Sequence, residues 1–532
     1  MKQYLNSLKA CRLAYILYAI LFSLMTVFDR HIIIDPTADR STIQNTFFSD
    51  LDIRDLLLFV IVSVIAYLII CAVPAIKKDS LFNEARNKKP PVFLLFLFII
   101  ALSWLPYLFS YWPGGVYSDT MNSLWIATGE HPMTTHEPFF YSLLWVTIIK
   151  VTHGSLEPSE YIGLYTFTVL QYLAMASLLS SFLYWNYKRG LKKVYLTIMT
   201  LIFAFFPLFP YYAISLWKDT VFGMMIFLFS WLLFCLNEKV LKHEKITLPD
   251  QIKFVLMCVL VCFFRNNGIY AVIFVCLIFV LSLIKAKELF KRFAVISVLT
   301  ILACFIVQHP LFDSLGYNVD TAIESLGIPL QQTAYIVATD GKLSEQDAVY
   351  IDSIMPLENW RVTYNPTTVD YIKFDASFDR DGFNESIPEF FRTYISICIK
   401  NPVKAVKAYL LSTYGYWDLY KSSGVAYVGC ESIAWTGIFQ SDYFDYYTGI
   451  AFRDIVYPKH YISSALWLWL LLLALGISLY GRQKRLSIAM MPALGIWLTI
   501  MLAVPVAYSF RYVFSVFLCV PIYILCMISE KE

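Results

Sequence analysis

Charge is what this chain has least of. Of its 532 residues only 15% are Asp, Glu, Lys or Arg, and the net charge is +3. That balance gives nucleic acid no electrostatic footing as a partner. Histidine is scarce too, at 7, and no stretch carries metal-ligand spacing. GxGxxG, Walker A and GxSxG patterns are missing, which leaves the common nucleotide and serine-hydrolase motifs without a signal. No internal repeat, low-complexity tract or Gly/Ser linker divides the chain. The 11 cysteines form no disulfide framework, because most lie in or beside apolar runs, where cysteine acts as a small hydrophobe. Cys398 and Cys430 sit in a large polar loop, and spacing alone does not show whether they pair.

What the chain has in abundance is apolar surface: 58% hydrophobic and 17% aromatic residues, with a mean hydropathy of +0.61. Those values belong to an all-α polytopic membrane protein. Apolar runs near 12–28, 55–76, 91–110, 161–184, 194–213, 220–236, 254–264, 271–284, 293–308, 461–480, 486–508 and 512–528 give about twelve candidate spans of a ~30 Å hydrocarbon core. With the N-terminus in the cytoplasm, basic clusters such as Lys77, Lys78, Arg86, Lys88 and Lys89, and Lys188, Arg189, Lys192 and Lys193, fall inside. That orientation follows the positive-inside rule and puts both termini in the cytoplasm. The first run lacks a small-residue cleavage site and reads as an anchor, not a removed signal. Residues 138–152 start at Pro138 and carry Tyr141, Trp145 and Lys150, so they are expected as an interfacial helix on the outer surface.

Four regions follow. Residues 1–90 hold two spans and an outer loop, and residues 91–308 form a membrane core. Residues 309–460 are the one polar stretch long enough to bury a core of its own, expected as a mostly helical extracytoplasmic unit. Residues 461–532 hold the last spans.

Polar clusters interrupt the outer ends of these apolar runs, where a charge is costly unless it faces protein or water. Asp119 follows a Pro113-Gly114-Gly115 turn, and His136-Glu137-Pro138 comes next. Lys218-Asp219 sits in WKDT, Arg265 and Asn266 in FRNNG, and Arg511 in YSFRY. The topology above puts them all on one side of the membrane. Each alone is an ordinary solvated turn or local ion pair; their convergence is the argument for a site. Gln331 and Gln332 are candidates for sugar hydroxyls, and the aromatic run 413–420 with Trp417 for stacking on an acceptor.

These residues, in this order, resemble the GT-C superfamily of membrane glycosyltransferases, specifically protein O-mannosyltransferase-like and aminoarabinose-transferase-like bacterial proteins. The likeness covers roughly residues 91–310 and the final spans. It implies a GT-C type helical bundle with interfacial helices. It also implies that Asp119 activates the acceptor, with Asp219 as second acid and His136 and Glu137 beside them. Arg265 and Arg511 would hold the donor phosphate, with Lys218 the weaker candidate, and Asn266 is expected to bind substrate beside them. The chain departs from the mannosyltransferases at Asp119-Thr120, where they show Asp-Glu, and at His136-Glu137-Pro138, where they show His-Pro-Pro. Family members differ in using a divalent cation, and the isolated carboxylates here mark no metal cage.

The expected activity is inverting transfer of a sugar from a polyprenyl-phosphate donor to an envelope glycan, polymer or lipid on the outer face. A transporter or flippase of lipid-linked intermediates is the alternative. Such a protein places polar groups near mid-span and often shows repeats, whereas here the ionisable groups collect at outer ends. For the topology, cysteine placed at Lys192 should react only with membrane-permeant reagents, and cysteine at Ser377 with impermeant ones. Labelling of both from one side would end this orientation.

Overall fold

The computed structural model describes residues 12–31, 51–72, 90–153, 162–317, 322–419, 432, 434–456, 463–480, 485–503, 506–507 and 509–528. The described residues are helical throughout their ordered elements, and their only β pairings are isolated bridges. Each of the twelve apolar runs appears as helix. Eight are long and apolar enough to cross a membrane: α1 (Leu13–His31), α2 (Ile53–Ala72), α3 (Pro90–Ser110), α6 (Ile162–Lys188), α9 (Lys218–Leu241), Lys287–Ser314, Leu486–Ala503 and Phe510–Met527. A further pair, α7 (Lys193–Phe205) and α8 (Leu208–Ile214), is long and apolar enough when taken together but bends by 49° at Phe206-Pro207. The other three, α10 (Leu248–Phe264), α11 (Gly268–Ser282) and α18 (Ser464–Tyr480), have 17, 15 and 17 residues. At ~1.5 Å per residue they fall short of the hydrocarbon core.

Between α3 and α6 lie two shorter helices, α4 (Ser118–Thr128) and α5 (Phe139–Thr152). The latter covers the run expected as an interfacial helix, and its large aromatic residues turn inward. Tyr141 and Trp145 are fully buried, Trp145 stacking on Phe167 of α6 at 4.1 Å, while Leu143, Leu144 and Val151 point outward. Ring area wins burial here because the bundle offers it a partner ring. The span from Lys287 runs through α12 (Lys287–Ile306) into a π turn at Val307–Leu311. Pro310, which has no N–H to donate, accounts for the irregularity.

The polar stretch 309–460 divides where the sequence shows no boundary. Residues 323–405 build their own core around Trp360, Phe383, Phe390 and Ile397, using α13 (Gly327–Ala338), α14 (Glu345–Ile354), α15 (Leu357–Thr363), α16 (Ile387–Lys400) and α17 (Pro402–Thr413). Leu411, Tyr414, Tyr416, Trp417 and Ile438 belong instead to the core of the membrane helices. Cys398 is a free thiol, and Cys430 lies outside the described residues.

The N-terminal pair α1–α2 is clasped by Arg30 and His31 on Asp55, at 2.6 and 3.1 Å. It docks through Tyr18 and Phe22 edge-on to Trp469 of α18. The last helices along the chain are α19 (Met491–Ala503), α20 (Phe510–Leu518) and α21 (Val520–Ile528). α20 packs against α8 by stacking Phe514 on Tyr212 at 4.0 Å.

One turn fixes how α3 hands over to α4. Gly114 has φ +119°, and a Cβ there would lie 2.8 Å from both the Ile214 carbonyl and Thr168 Oγ1. The neighbouring Gly115 donates to the Ile214 carbonyl and accepts from the Leu216 amide, both at 2.9 Å. Gly114→Ala therefore meets a disfavoured backbone and a filled space together. It should lower stability by at least about 1–3 kcal/mol, read as thermal unfolding of the detergent-purified protein. An unchanged midpoint would mean that the turn relaxes freely.

Candidate functional site

The pairing of Gly115 with Ser215 sets two helix starts side by side. Asp119 lies in the first turn of α4 and Lys218-Asp219 opens α9. Thr120 and Tyr141 both donate hydroxyl hydrogen bonds to the Leu216 carbonyl at 2.8 Å. The Gln171 amide spans the carbonyls of Tyr212, Ala213 and Ser215. Backbone carbonyls in this buried turn are thereby satisfied without a regular helix, as buried polar groups require.

Charges meet at this junction. Lys218 Nζ donates to Glu137 Oε2 at 3.1 Å and lies 3.5 Å from Asp119 Oδ2. Arg511 Nη1, from α20, donates to the same Asp119 oxygen at 2.8 Å, and Nη2 to the Tyr512 hydroxyl at 2.9 Å. Asp219 is ion-paired with Arg265, which follows α10. Three cations and three carboxylates from five separate segments thus share one end of the bundle. Asp119, Lys218 and Arg511 keep about a fifth of each side chain open, at 19, 18 and 20%.

Aromatic rings order the cations. Trp217 stacks on Tyr117 at 3.8 Å and carries the Arg511 guanidinium 4.2 Å above its centroid. Tyr512 lies 4.7 Å from Arg511 and 5.2 Å from Arg265, and Phe222 lies 5.6 Å from Arg265. Guanidinium groups held by their faces present their donor edges in a fixed direction, which suits a planar or tetrahedral oxyanion.

The two accessible-end carboxylates respond in opposite ways. Burial works to raise the Asp119 pKa, but Lys218 and Arg511 outweigh it and hold the group well below the usual carboxylate range. Glu137 is 1% exposed. Burial pushes it from 4.5 to about 7, against the attraction of Lys218 and with help from Asp119. The first is thereby kept as an anion, and the second gives up its proton less readily than an ordinary carboxyl.

Not every expected residue joins. Asp219 is closed in, 1% exposed, as the counter-ion of Arg265, so it does not reach a substrate as a second acid. Gln331 and Gln332 are buried in the 323–405 core and donate to the carbonyls of Asn365 and Ala405. Their amides thus lie inside that core and not in the charge cluster. Trp417 is buried as well: its indole N–H donates to Thr413 Oγ1, and its carbonyl accepts from Trp469. It packs the loop onto the helices and offers no face to an acceptor. Asn266 donates to the Thr135 carbonyl at 2.7 Å, pinning the loop that carries His136. His136 itself is exposed at the rim, within electrostatic range of Lys218, Asp119, Glu324 and Lys373. Trp217, Tyr117 and Tyr512 were missed by sequence reasoning, although Trp217-Lys218 and Arg511-Tyr512 each set a ring beside a base. Among the described residues, no three His, Cys, Asp or Glu side chains gather as a metal's ligand set.

A model of the family described as "Family of unknown function (DUF6020)" matches residues 109–532. The chain belongs to this family. The match begins just before the Pro113-Gly114-Gly115 turn and takes in every member of the charge cluster; α1 and α2 precede it. Neither characterised proteins nor solved structures return a match.

Glu137 makes a pH prediction. Its folded pKa is raised, so the folded state holds the proton that the unfolded state releases between pH 4.5 and about 7. Its contribution to stability is present below that window and lost as pH rises through it. Glu137→Gln should flatten the fall of the melting temperature across this window. A fall of equal size in both proteins would place the titrating group elsewhere.

Proposed function

We propose that this protein is an integral-membrane glycosyltransferase of GT-C type, acting on a polyprenyl-phosphate-linked sugar at the extracytoplasmic face. The observation that carries the reading is Asp119 held jointly by Lys218 and Arg511, with all three partly open. A lipid phosphate is an acceptor-only dianion or monoanion, and two cations already gathered on one carboxylate are the groups it would recruit. Drawing them onto phosphate removes the charges that depress Asp119, so its basicity rises as the donor binds. The acceptor hydroxyl then gives its proton to Asp119, its oxygen bonds to the anomeric carbon, and the bond from that carbon to the phosphate oxygen breaks. The leaving phosphate takes the electron pair, and Lys218 and Arg511 stabilise the charge that develops there. Glu137 holds the far side of Lys218 throughout. Arg265, engaged with Asp219, fixes Tyr512 and hence Arg511 and does not bind phosphate itself.

The bundle's bilayer setting, the cytoplasmic termini and an envelope glycan, polymer or lipid as acceptor belong to the same proposal. The ionisable groups sit at helix ends, an arrangement that suits surface chemistry better than a path through mid-span.

Asp119→Asn keeps the shape and removes proton acceptance, so turnover of a radiolabelled polyprenyl-phosphate sugar should fall at least ~100-fold. Donor binding should stay within a few fold, because Lys218 and Arg511 no longer have to leave a charged partner. Near-normal turnover would remove Asp119 from the chemistry. No turnover by the unaltered protein with any donor in a panel of such sugars would remove the reading itself.

A further inference from the structure

Residues 439–455 gather several strongly exposed large side chains in one short segment. Phe439, Tyr446 and Tyr447 are each 79% exposed and Ile455 71%, with Tyr443 and Ile450 at 40 and 46%. This is no loose tail. Phe452 packs edge-on against Tyr107 of α3 at 4.9 Å and against Phe444 at 5.3 Å. Arg453 donates to the Ser110 carbonyl and pairs with Asp442 at 3.2 Å. The Ser441 amide donates to the Trp112 carbonyl at 2.8 Å. The buried side of the segment therefore grips the last turn of α3, and the exposed rings face away from the protein.

The surface these rings extend is lipid-facing in character. α3 presents Leu94, Leu95, Phe98, Leu102 and Phe109 outward along its length, and Phe109 and Tyr165 both lie against Trp112 at the rim. Continuing outward, the apolar stripe gives way to tyrosines, rings with an apolar body and a polar tip. That change from aliphatic to amphipathic aromatic residues marks the passage from hydrocarbon to headgroups. Asp442, Asp445 and Asp454 in the same stretch weigh against attraction to anionic lipid, so the contact is ring burial and not charge.

We propose that residues 439–455 form an aromatic foot that lies in the headgroup layer of the bilayer beside the charge cluster. The proposal rests on reading α3 as a membrane span and is independent of the glycosyl-transfer reading. The foot sets the depth of the site: Ser441 and Arg453 hold residues 110–112 directly before the Pro113-Gly114-Gly115 turn, so a foot seated among headgroups fixes Asp119 at the level where a lipid's phosphate lies.

Three single-cysteine additions, Tyr447→Cys, Phe98→Cys and Val349→Cys, labelled with an environment-insensitive fluorophore in phosphatidylcholine nanodiscs, test it, with labelling of the unaltered chain subtracted. All three positions are well exposed, at 79, 63 and 67%, so folding is not at issue. A lipid carrying a shallow nitroxide should remove about half of the emission or more at position 447, as headgroup-level residence implies, and iodide in the water should remove little. Position 349, on the 323–405 unit, should show the opposite, and position 98 should respond to lipid quenchers alone. If position 447 behaves as 349 does, the foot lies in water and the proposal fails. If position 98 also responds to iodide alone, the membrane reading of α3 fails first.

Discussion

The ammonium group of Lys218 lies between two carboxylates, Asp119 from the first turn of α4 and Glu137 from the loop before α5, and the rest of the site depends on that arrangement. Taking any one of these charges from water costs several kcal/mol, which mutual attraction repays only when geometry and further hydrogen bonds are good. Here Asp119 is shared with Arg511, and Glu137, 1% exposed, pairs with Lys218. Removing Lys218 would leave Asp119 with a single cation and Glu137 with none of its ion pair. The six-membered cluster is balanced in sign with Glu137 ionised and carries one excess positive charge with Glu137 protonated.

Much of this was legible because charges in an apolar chain are costly and therefore rare. WKDT, FRNNG and YSFRY stand out in a sequence with so few charged residues, and the helices bring all three together with the Asp119 turn. Pairing was not legible. Nothing in the spacing says that Asp219 turns toward Arg265 while its neighbour Lys218 turns toward Asp119; that follows from successive residues at a helix start pointing about 100° apart. Gln331 and Gln332 read equally well as a ligand-facing or a core-facing pair, and only the carbonyls of Asn365 and Ala405, far along the chain, decide it.

The helices themselves followed hydropathy, and their lengths did not. Hydropathy counts apolar residues without regard to where hydrogen bonding stops. The run 194–213 is continuous in composition, but Pro207 bends it into two helices. The run ending near 308 continues through Pro310 by way of a π turn. The division of 309–460 was hidden for a related reason. Aromatic residues are dense on both sides of residue 410, and composition does not distinguish rings that fill a separate core from rings that fill the membrane helices.

That division ties the outer unit to the site by backbone. Ala507 donates to the Thr367 carbonyl at 2.8 Å and accepts from the Gly415 amide at 2.9 Å. Val506 pairs with Thr368, and its carbonyl accepts from the Tyr416 hydroxyl, which also reaches the Ser509 carbonyl. Val506 and Ala507 are thus held from both the 323–405 unit and the aromatic turn after α17, and Ser509 from the latter. Ser509 is the residue that caps α20, and Arg511 follows in its first turn. A side chain that near a helix start moves with its cap, and the cap here moves with the outer unit. Displacing that unit by even an ångström would shift the guanidinium relative to Asp119, whose own position is fixed independently through the Gly114 turn. The ion pair between Arg511 and Asp119 therefore joins two separately anchored parts of the molecule.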